Sequence, residues 1–416
     1  MWKRWRIRIL LFLAVLGPGF ITANVDNDSG GILTYSQAGA QFGYSLLWIM
    51  IPITIALTVI QEMNARMGVV TGKGLSDLIR EEFGLRLTFL LMVLLVVVNY
   101  TNVVTEFIGI AGSIHLFHVS KFISVPICAA LVWLLVVRGD YQSTEKIFLV
   151  ASLVYITYIF AGVLSQPSWH DALWATVKLP APSVWRDKAY IYMAIGLVGT
   201  TIAPWMQFYL QSSIVEKGVR DQSFAAMRLD VTVGSLFQDV VAWFIVVACA
   251  ATLFTHGMGA IQVAADAAEA MRPLAGDYAF ILFAFGLFNA SLFSASILPI
   301  STAYTVCEGL GVESGVDKTF KEAPFFYWLY TLLIAGGAVT VLVLPDSQLI
   351  NVAILSQVLN GVLLPVIIIL MLLLINRTDL MGKHKNSRLW NVIAWSTSVI
   401  VIGMTGAMLW GMLPGH

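Results

Sequence analysis

Two carboxylates stand close together inside the first apolar stretch of this chain. Asp26 and Asp28 lie in residues 25–31, which read VDNDSGG and are predicted to be an unwound break in the first membrane helix. An acidic pair at membrane depth is costly unless a cation or a partner neutralises it, so the pair is a candidate ion site. Carboxylates, and carbonyls exposed where glycine lets the backbone turn, are ligands for hard divalent cations. The alternative is that Asp26 or Asp28 only caps the following helix.

A second apolar stretch is interrupted at the corresponding place, residues 199–204, which read GTTIAP. Pro204 has no N–H, so it leaves a carbonyl of the preceding turn without its helical donor. An unwound backbone at membrane depth is tolerated where it lines a cavity or binds something. An ordinary proline kink is the alternative, but the pairing of the two breaks favours a transporter whose ion site uses carbonyls near Ala203.

A third apolar stretch carries Glu106 near its middle. Asn99, Asn102 and Glu106 follow at i, i+3 and i+7, so they share one helix face that must look into the protein. Three interpretations stay open for that face: a proton route, the lining of a vestibule, or hydrogen bonding between helices.

Four further polar residues lie in apolar stretches. Gln238 and Asp239 are adjacent and point in different directions, so at most one of them readily faces a central cavity. Asp239 is a candidate for a vestibule or proton route. Gln357 and Asn360 are one helical turn apart and can face the first break as metal ligands, or else serve packing.

The composition is that of an integral membrane protein. Of 416 residues, 58% are hydrophobic and 12% charged, with a formal net charge of zero, and the mean hydropathy is +0.83. Nothing supports nucleic-acid binding, a required protein partner or a bound cofactor. No nucleophile–base pair or phosphate-binding glycine loop supports an enzyme, and the three cysteines have no metal-binding spacing.

Eleven apolar segments are long enough to span a bilayer. They lie at 8–42, 44–66, 87–117, 119–137, 146–165, 189–214, 229–254, 278–307, 325–344, 347–375 and 390–413. With the N-terminus in the cytoplasm, only Lys121, Lys178, Arg186, Lys188 and Arg272 of the 24 Lys and Arg residues face outward. This asymmetry predicts a plasma (inner) membrane protein with an uncleaved first helix and the C-terminus outside.

The two breaks divide the chain into similar halves. Segments 1–5 and 6–10 each begin with an interrupted helix, and the odd number preceding the sixth inverts the second half. We predict a first inverted repeat at 1–165, an outer loop at 166–188, a second repeat at 189–376, and a loop and eleventh helix at 377–416.

Several motifs resemble the Nramp divalent-metal transporters, in order along nearly the whole chain. They are GPGFI at 17–21, QAGAQFGY at 37–44, TEFIG at 105–109, YLQSSIV at 209–215, Glu308-Gly309 and Ser356-Gln357. The resemblance implies an all-α polytopic membrane protein with a LeuT-type 5+5 inverted repeat, broken helices 1 and 6, and an eleventh helix.

The departures from the family pattern fall on its metal ligands. Asp28 matches the family's aspartate, but Gly31 replaces its asparagine and Ala203 replaces its methionine. Trp205 replaces its histidine, whereas whether Met206 reaches the site stays open. The family's third-segment aspartate and tenth-segment glutamine fall on two apolar residues, Val103 and Leu363.

These changes point to hard oxygen ligands and more space. Thioether sulfur favours softer metals, whereas Mg²⁺ prefers oxygen and keeps much of its water. The pattern is similar to the Nramp-related magnesium transporters, which implies uptake of Mg²⁺, and also Mn²⁺, by alternating access with weak or no proton coupling. Taking the residues and the resemblance together, we predict a metal site of Asp28, the Ala203 carbonyl, Gly31, Asp26, Gln357 and Asn360, with Glu106 and Asp239 as candidates for a vestibule or proton route.

Three rival functions stay open. A proton-coupled Mn²⁺/Fe²⁺ symporter would use Asp26, Glu106 or Asp239 to carry the proton. A sodium-coupled amino-acid carrier is less favoured, because the acidic pair would repel a substrate carboxylate. A magnesium channel would show flux without saturation.

Overall fold

A computed structural model describes residues 17–139, 141–219, 224–257, 261 and 263–411. Across these ranges the chain is almost entirely helical and no β-strand occurs. The start of the first predicted segment (residues 8–16), the basic N-terminal residues, Arg220 and residues 412–413 of the last segment lie outside them.

The helices follow one another with short connections. They are α1 (Pro18–Val25), α2 (Ser29–Phe42), α3 (Met50–Thr71), α4 (Leu75–Phe83), α5 (Leu85–His115), α6 (Lys121–Val137), α7 (Tyr141–Val154), α8 (Ile156–Leu164), α9 (Trp169–Val177), α10 (Lys188–Thr201), α11 (Pro204–Glu216), α12 (Phe224–Cys249), α13 (Ala264–Leu310), α14 (Pro324–Val343), α15 (Asp346–Ile375), α16 (Thr378–Met381) and α17 (Arg388–Gly411).

The described part of each of the eleven predicted segments is mostly helical. Within the described ranges, eight helical stretches are long and apolar enough to cross a bilayer, and Lys121–Val137 and Arg388–Gly403 are shorter apolar helices. One of the eight, Ser29–Thr71, contains both α2 and α3, which are separated by a 3₁₀ turn beginning at Gly43. The protein is therefore an integral membrane protein, as the composition predicts.

The first and sixth segments are broken, as predicted. The first consists of α1 and α2, and the sixth of α10 and α11. In the packing, α1 lies against α11 and α2 lies against α10, while α12 packs on both α1 and α2. The long helix α13 packs along α5, and α17 packs on α15. The exact division into two repeats stays a prediction.

Helix α1 is buried along its whole length, so its free N–H groups need partners inside the protein. Asp230 of α12 supplies them. Its carboxylate accepts hydrogen bonds from the backbone N–H groups of Gly17, Gly19 and Phe20, at 2.7, 2.8 and 3.1 Å. A Cβ on Gly234, one turn further along α12, would lie 2.6 Å from the Phe20 Cα. The absence of a side chain there permits the close contact between α1 and α12.

Candidate metal centre

The first break is shorter than the sequence suggests. Helix α1 ends at Val25, and only residues 26–28 separate it from α2, which begins at Ser29. Asp28 is extended, with φ −74° and ψ −178°, and its Oδ1 accepts a hydrogen bond from the Gly31 N–H at 2.7 Å. The prediction that the glycines at 30–31 unwind is wrong, because this N-cap lets both glycines join the first helical turn.

Gly30 and Gly31 instead permit close approach of other groups. A Cβ on Gly30 would collide with the side-chain amide of Gln357, which places Gln357 of α15 against the first break. A Cβ on Gly31 would lie 2.6 Å from the Asp26 carbonyl oxygen and 3.5 Å from the Thr200 Oγ1. Gly31 therefore lies between the two breaks, and an added side chain there would displace the Asp26 carbonyl.

Glu106 of α5 reaches the first break directly. Its Oε2 accepts a hydrogen bond from the Ser29 N–H at 3.2 Å, and its Oε1 is buried with no hydrogen-bond partner in the described part of the chain. Two N–H groups at the start of α2 are thus satisfied by carboxylates, one from Asp28 and one from Glu106. Sequence spacing placed Glu106 on an inward face but did not indicate this contact, which joins residues 77 positions apart.

The second break comprises only Ile202 and Ala203. Helix α10 continues through Thr201, contrary to the predicted start of unwinding at residue 199, and α11 begins at Pro204. Pro204 has no N–H for the Thr200 carbonyl. The Ala203 N–H, the usual donor for the Gly199 carbonyl, donates to the Met206 sulfur. Two carbonyls at the end of α10 therefore lack their usual helical donors.

Met206 reaches the second break. Its Sδ lies 3.3 Å from the Ala203 nitrogen and 4.0 Å from the Gln61 Nε2, and the side chain is fully buried. A thioether is therefore present beside the Ala203 position even though position 203 itself has none. The sulfur accepts hydrogen bonds from the Ala203 backbone N–H and from the Gln61 side-chain amide, so its observed role is to satisfy donors at the second break.

Replacing Met206 by leucine tests this role, because leucine keeps the volume and removes the sulfur. We expect the free energy of unfolding to fall by less than about 1.5 kcal/mol and the ratio of Mg²⁺ to Mn²⁺ affinity to stay unchanged. Thermal unfolding and titration calorimetry of the purified protein measure the two quantities. Weaker Mn²⁺ binding without a change in Mg²⁺ binding would instead make Met206 a metal ligand.

The two candidate ligands on α15, Gln357 and Asn360, have different neighbours. Gln357 adjoins Gly30, whereas Asn360 forms a reciprocal amide pair with Asn102 of α5. The Asn102 Nδ2 donates to the Asn360 Oδ1 at 3.2 Å, and the Asn360 Nδ2 donates back at 3.0 Å. Asn360 therefore joins α15 to α5, and the structure does not bring it to the backbone of the first break as it does Gln357.

Asp26 and Asp239 belong to the same acidic region. Asp26 is 1% exposed, and its charged neighbours are Asp28 and Asp239. The charged neighbour of Glu106 is Asp28. Arg66, a buried cation of α3, pairs with Glu62 at 2.9 Å rather than with these carboxylates. The region around the breaks therefore carries an excess of negative charge, which attracts cations.

The geometry limits how an ion can be held. Within the described part of the chain, no three His, Cys, Asp or Glu side chains converge closely enough to ligate one metal ion. An ion at the breaks would therefore be held by a carboxylate together with carbonyl and amide oxygens and water. Mg²⁺ commonly keeps several waters when it binds to proteins.

Two broken helices that meet at a buried acidic region, within a bundle of apolar helices, define a membrane transporter of the LeuT type. Solved structures show the same fold. A manganese transporter from Eremococcus coleocola, solved with an aromatic bis-isothiourea compound, superposes with a TM-score of 0.76 at 22% identity, over 95% of this chain and 85% of that one. Mhp1, a nucleobase-cation-symport-1 family transporter, superposes with a TM-score of 0.58 at 14% identity, over 95% and 92%. The predicted fold class is confirmed.

The family model "Natural resistance-associated macrophage protein-like" (Nramp) matches residues 19–411. The chain belongs to the Nramp family. Among its relatives, the divalent metal cation transporter MntH of Klebsiella pneumoniae (strain 342) is 26% identical over 97% of this chain and 95% of that protein. MntH of Deinococcus radiodurans is 27% identical over 98% and 91%. This membership confirms the prediction of a transporter rather than an enzyme.

Proposed function

We propose that this protein takes up divalent cations, Mg²⁺ and also Mn²⁺, across the plasma membrane by alternating access with weak or no proton coupling. The observation that carries the proposal is the meeting of two buried helix breaks beside Asp28. The breaks are so close that a Cβ added to Gly31 would lie 3.5 Å from the Thr200 Oγ1. The names of the relatives, divalent metal cation transporters, support the divalent charge of the substrate.

In this proposal Asp28 is the principal carboxylate ligand. Its Oδ1 caps α2, so the capping and ligand roles can be divided between its two oxygens. The Gln357 amide and carbonyls at residues 199–203 complete an oxygen-rich site, and Asp26 and Glu106 add negative charge close by. Asn360, held by Asn102, contributes to positioning rather than ligation.

The choice of Mg²⁺ rests on what the site lacks. Gly31 and Ala203 bring no side-chain ligand, and Trp205, where the family has histidine, is fully buried and cannot carry a proton. A site with few protein ligands leaves water on the ion, as Mg²⁺ requires. The membrane potential can drive the uptake, because two charges crossing 100 mV gain about 4.6 kcal/mol.

A proton-coupled Mn²⁺ symporter is the second candidate, favoured by the contact of Glu106 with the first break. An amino-acid carrier is disfavoured. The N–H groups of Ser29 and Gly31, which would receive a substrate carboxylate, already donate to Glu106 and Asp28.

Flux into proteoliposomes with a pH-sensitive dye inside separates the candidates. At an inside-negative potential we expect saturable uptake of Mg²⁺ and Mn²⁺, with no acidification beyond that of protein-free liposomes. Acidification that follows Mn²⁺ uptake would establish the symporter instead. Flux that does not saturate would indicate a channel, and absence of divalent uptake would refute the proposed function.

A further inference from the structure

Asp239 is a buried carboxylate that the proposed metal site leaves unused. It lies on α12 and is 4% exposed, and neither of its oxygens accepts a hydrogen bond from a residue that the structure describes. Thr54 of α3 is the adjoining polar side chain, but its hydroxyl donates to the Met50 carbonyl at 2.7 Å. An ionised carboxylate inside a membrane protein is strongly destabilising unless something neutralises it.

Other oxygens in the same region also accept no hydrogen bond within the described ranges. They are the Asp26 Oδ2, the Asn27 Oδ1 and the Gln238 Oε1, all buried. The Asn27 Nδ2 donates to the Gln238 carbonyl at 3.1 Å, which ties the first break to α12 beside Asp239. We call these four residues, Asp26, Asn27, Gln238 and Asp239, the Asp239 cluster.

The neighbouring hydrogen bonds direct their donors away from these oxygens. The Gln238 Nε2 donates to the Tyr35 hydroxyl at 3.4 Å. Tyr35 in turn donates to the Thr201 Oγ1 at 2.9 Å, because the hydrogen of Thr201 goes to the Leu197 carbonyl at 2.7 Å. The Asp239 cluster is therefore a group of buried acceptors, and a cation or a hydrated cation is the partner that satisfies acceptors and charge together.

The charges indicate the valence of that cation. A divalent ion at Asp28 neutralises two negative charges, those of Asp28 and the adjoining Glu106. Asp26 and Asp239 then remain, and Asp26 is a neighbour of both Asp28 and Asp239, so it is shared between the two regions. Two units of negative charge are therefore left, one on Asp239 and one on the shared Asp26, and a monovalent hard cation with oxygen ligands balances the charge on Asp239.

We infer that the Asp239 cluster is a second cation site, separate from the divalent site, that binds Na⁺ between the first break and α12. This inference rests on the proposed function only in placing the divalent ion at Asp28. Because Asp26 borders both sites, occupancy of one site changes the electrostatic field at the other.

Equilibrium binding of radioactive sodium to the purified full chain, without divalent ions, tests the inference. We expect saturable binding to wild type and a loss of at least about tenfold in affinity for Asp239→Asn. The matched control is Asp277→Asn, which removes an exposed carboxylate paired with Arg272 and is expected to bind sodium as wild type does. Sodium binding that is absent from wild type, or unchanged in Asp239→Asn, would overturn the inference.

Thermal unfolding gives a second measurement that does not depend on the variant's affinity. Sodium is expected to raise the Tm of wild type relative to choline, since it binds the folded state. Asp239→Asn is expected to show no sodium effect and to be at least as stable in choline as wild type, because it lacks the unpaired charge. Divalent uptake is measured on the same preparations. A wild-type protein that takes up divalent ions but shows no sodium effect refutes only this inference, whereas a wild-type protein that binds sodium but takes up no divalent ion refutes only the proposed function.

Discussion

Asp28→Ala is expected to reduce Mg²⁺ and Mn²⁺ uptake into proteoliposomes by at least about 100-fold, since even outer-shell partners of a metal contribute about 10–100-fold. The physical reason is the loss of the principal carboxylate at the point where the two breaks meet. Uptake is measured at fixed membrane potential and equal protein density, and binding is measured by calorimetry.

Alanine at this position also removes the N-cap of α2, which costs roughly 0.5–2 kcal/mol. Asp28→Asn separates the two effects, because its side-chain oxygen can still accept the Gly31 N–H while its charge is gone. We expect Asp28→Asn to unfold close to the wild-type temperature and to transport as poorly as Asp28→Ala. Wild-type uptake by Asp28→Asn would show that the site lies elsewhere.

Ala203→Met is expected to change the metal preference. A thioether at the second break would favour softer ions, so the affinity for Cd²⁺ should rise by about tenfold, equivalent to about 1.4 kcal/mol. Mg²⁺ uptake should fall, because the larger side chain removes space for the waters that Mg²⁺ keeps. Calorimetry with Mg²⁺, Mn²⁺ and Cd²⁺ on the same preparation measures the change.

Ala203 is 3% exposed, so any larger residue there has to be accommodated. Overpacking of this kind costs typically about 1–3 kcal/mol. Ala203→Leu is the matched control, since it adds similar bulk without sulfur. It should lose Mg²⁺ uptake without gaining Cd²⁺ affinity. An equal gain in both variants, or none in Ala203→Met, would show that position 203 does not contact the ion.

The membrane segments and the existence of the two breaks could be predicted from the chain alone. Hydrocarbon accepts only long apolar helices, and it penalises carboxylates and proline-interrupted backbone unless they are functional. These are local constraints, so the residues at 26–28 and 202–204 were sufficient to locate both breaks. The extent of each break was overestimated, because the cap on Gly31 and the helical backbone hydrogen bonds that continue through Thr201 depend on details of geometry.

The sequence does not predict which side chains form hydrogen bonds with each other across the helix bundle. Asn360 and Asn102, 258 positions apart, pair with each other, and Glu106 accepts the Ser29 N–H at the start of α2. Met206 reaches the Ala203 N–H because α11 begins at Pro204, which turns the side chain at the third helical position back toward the break. Helical periodicity places such residues on an inward face but does not say which neighbour they meet.

The amino-acid sequence by itself determined the apolar helices and their interruption by acidic and proline residues, because both follow from transfer of side chains and backbone into hydrocarbon. The tertiary structure alone decided which oxygens are already hydrogen-bonded and which remain without donors. That distinction arises from contacts between helices far apart in the chain. It separates Asp28 and Glu106, which cap α2, from Asp239, whose oxygens accept no hydrogen bond from the residues that the structure describes.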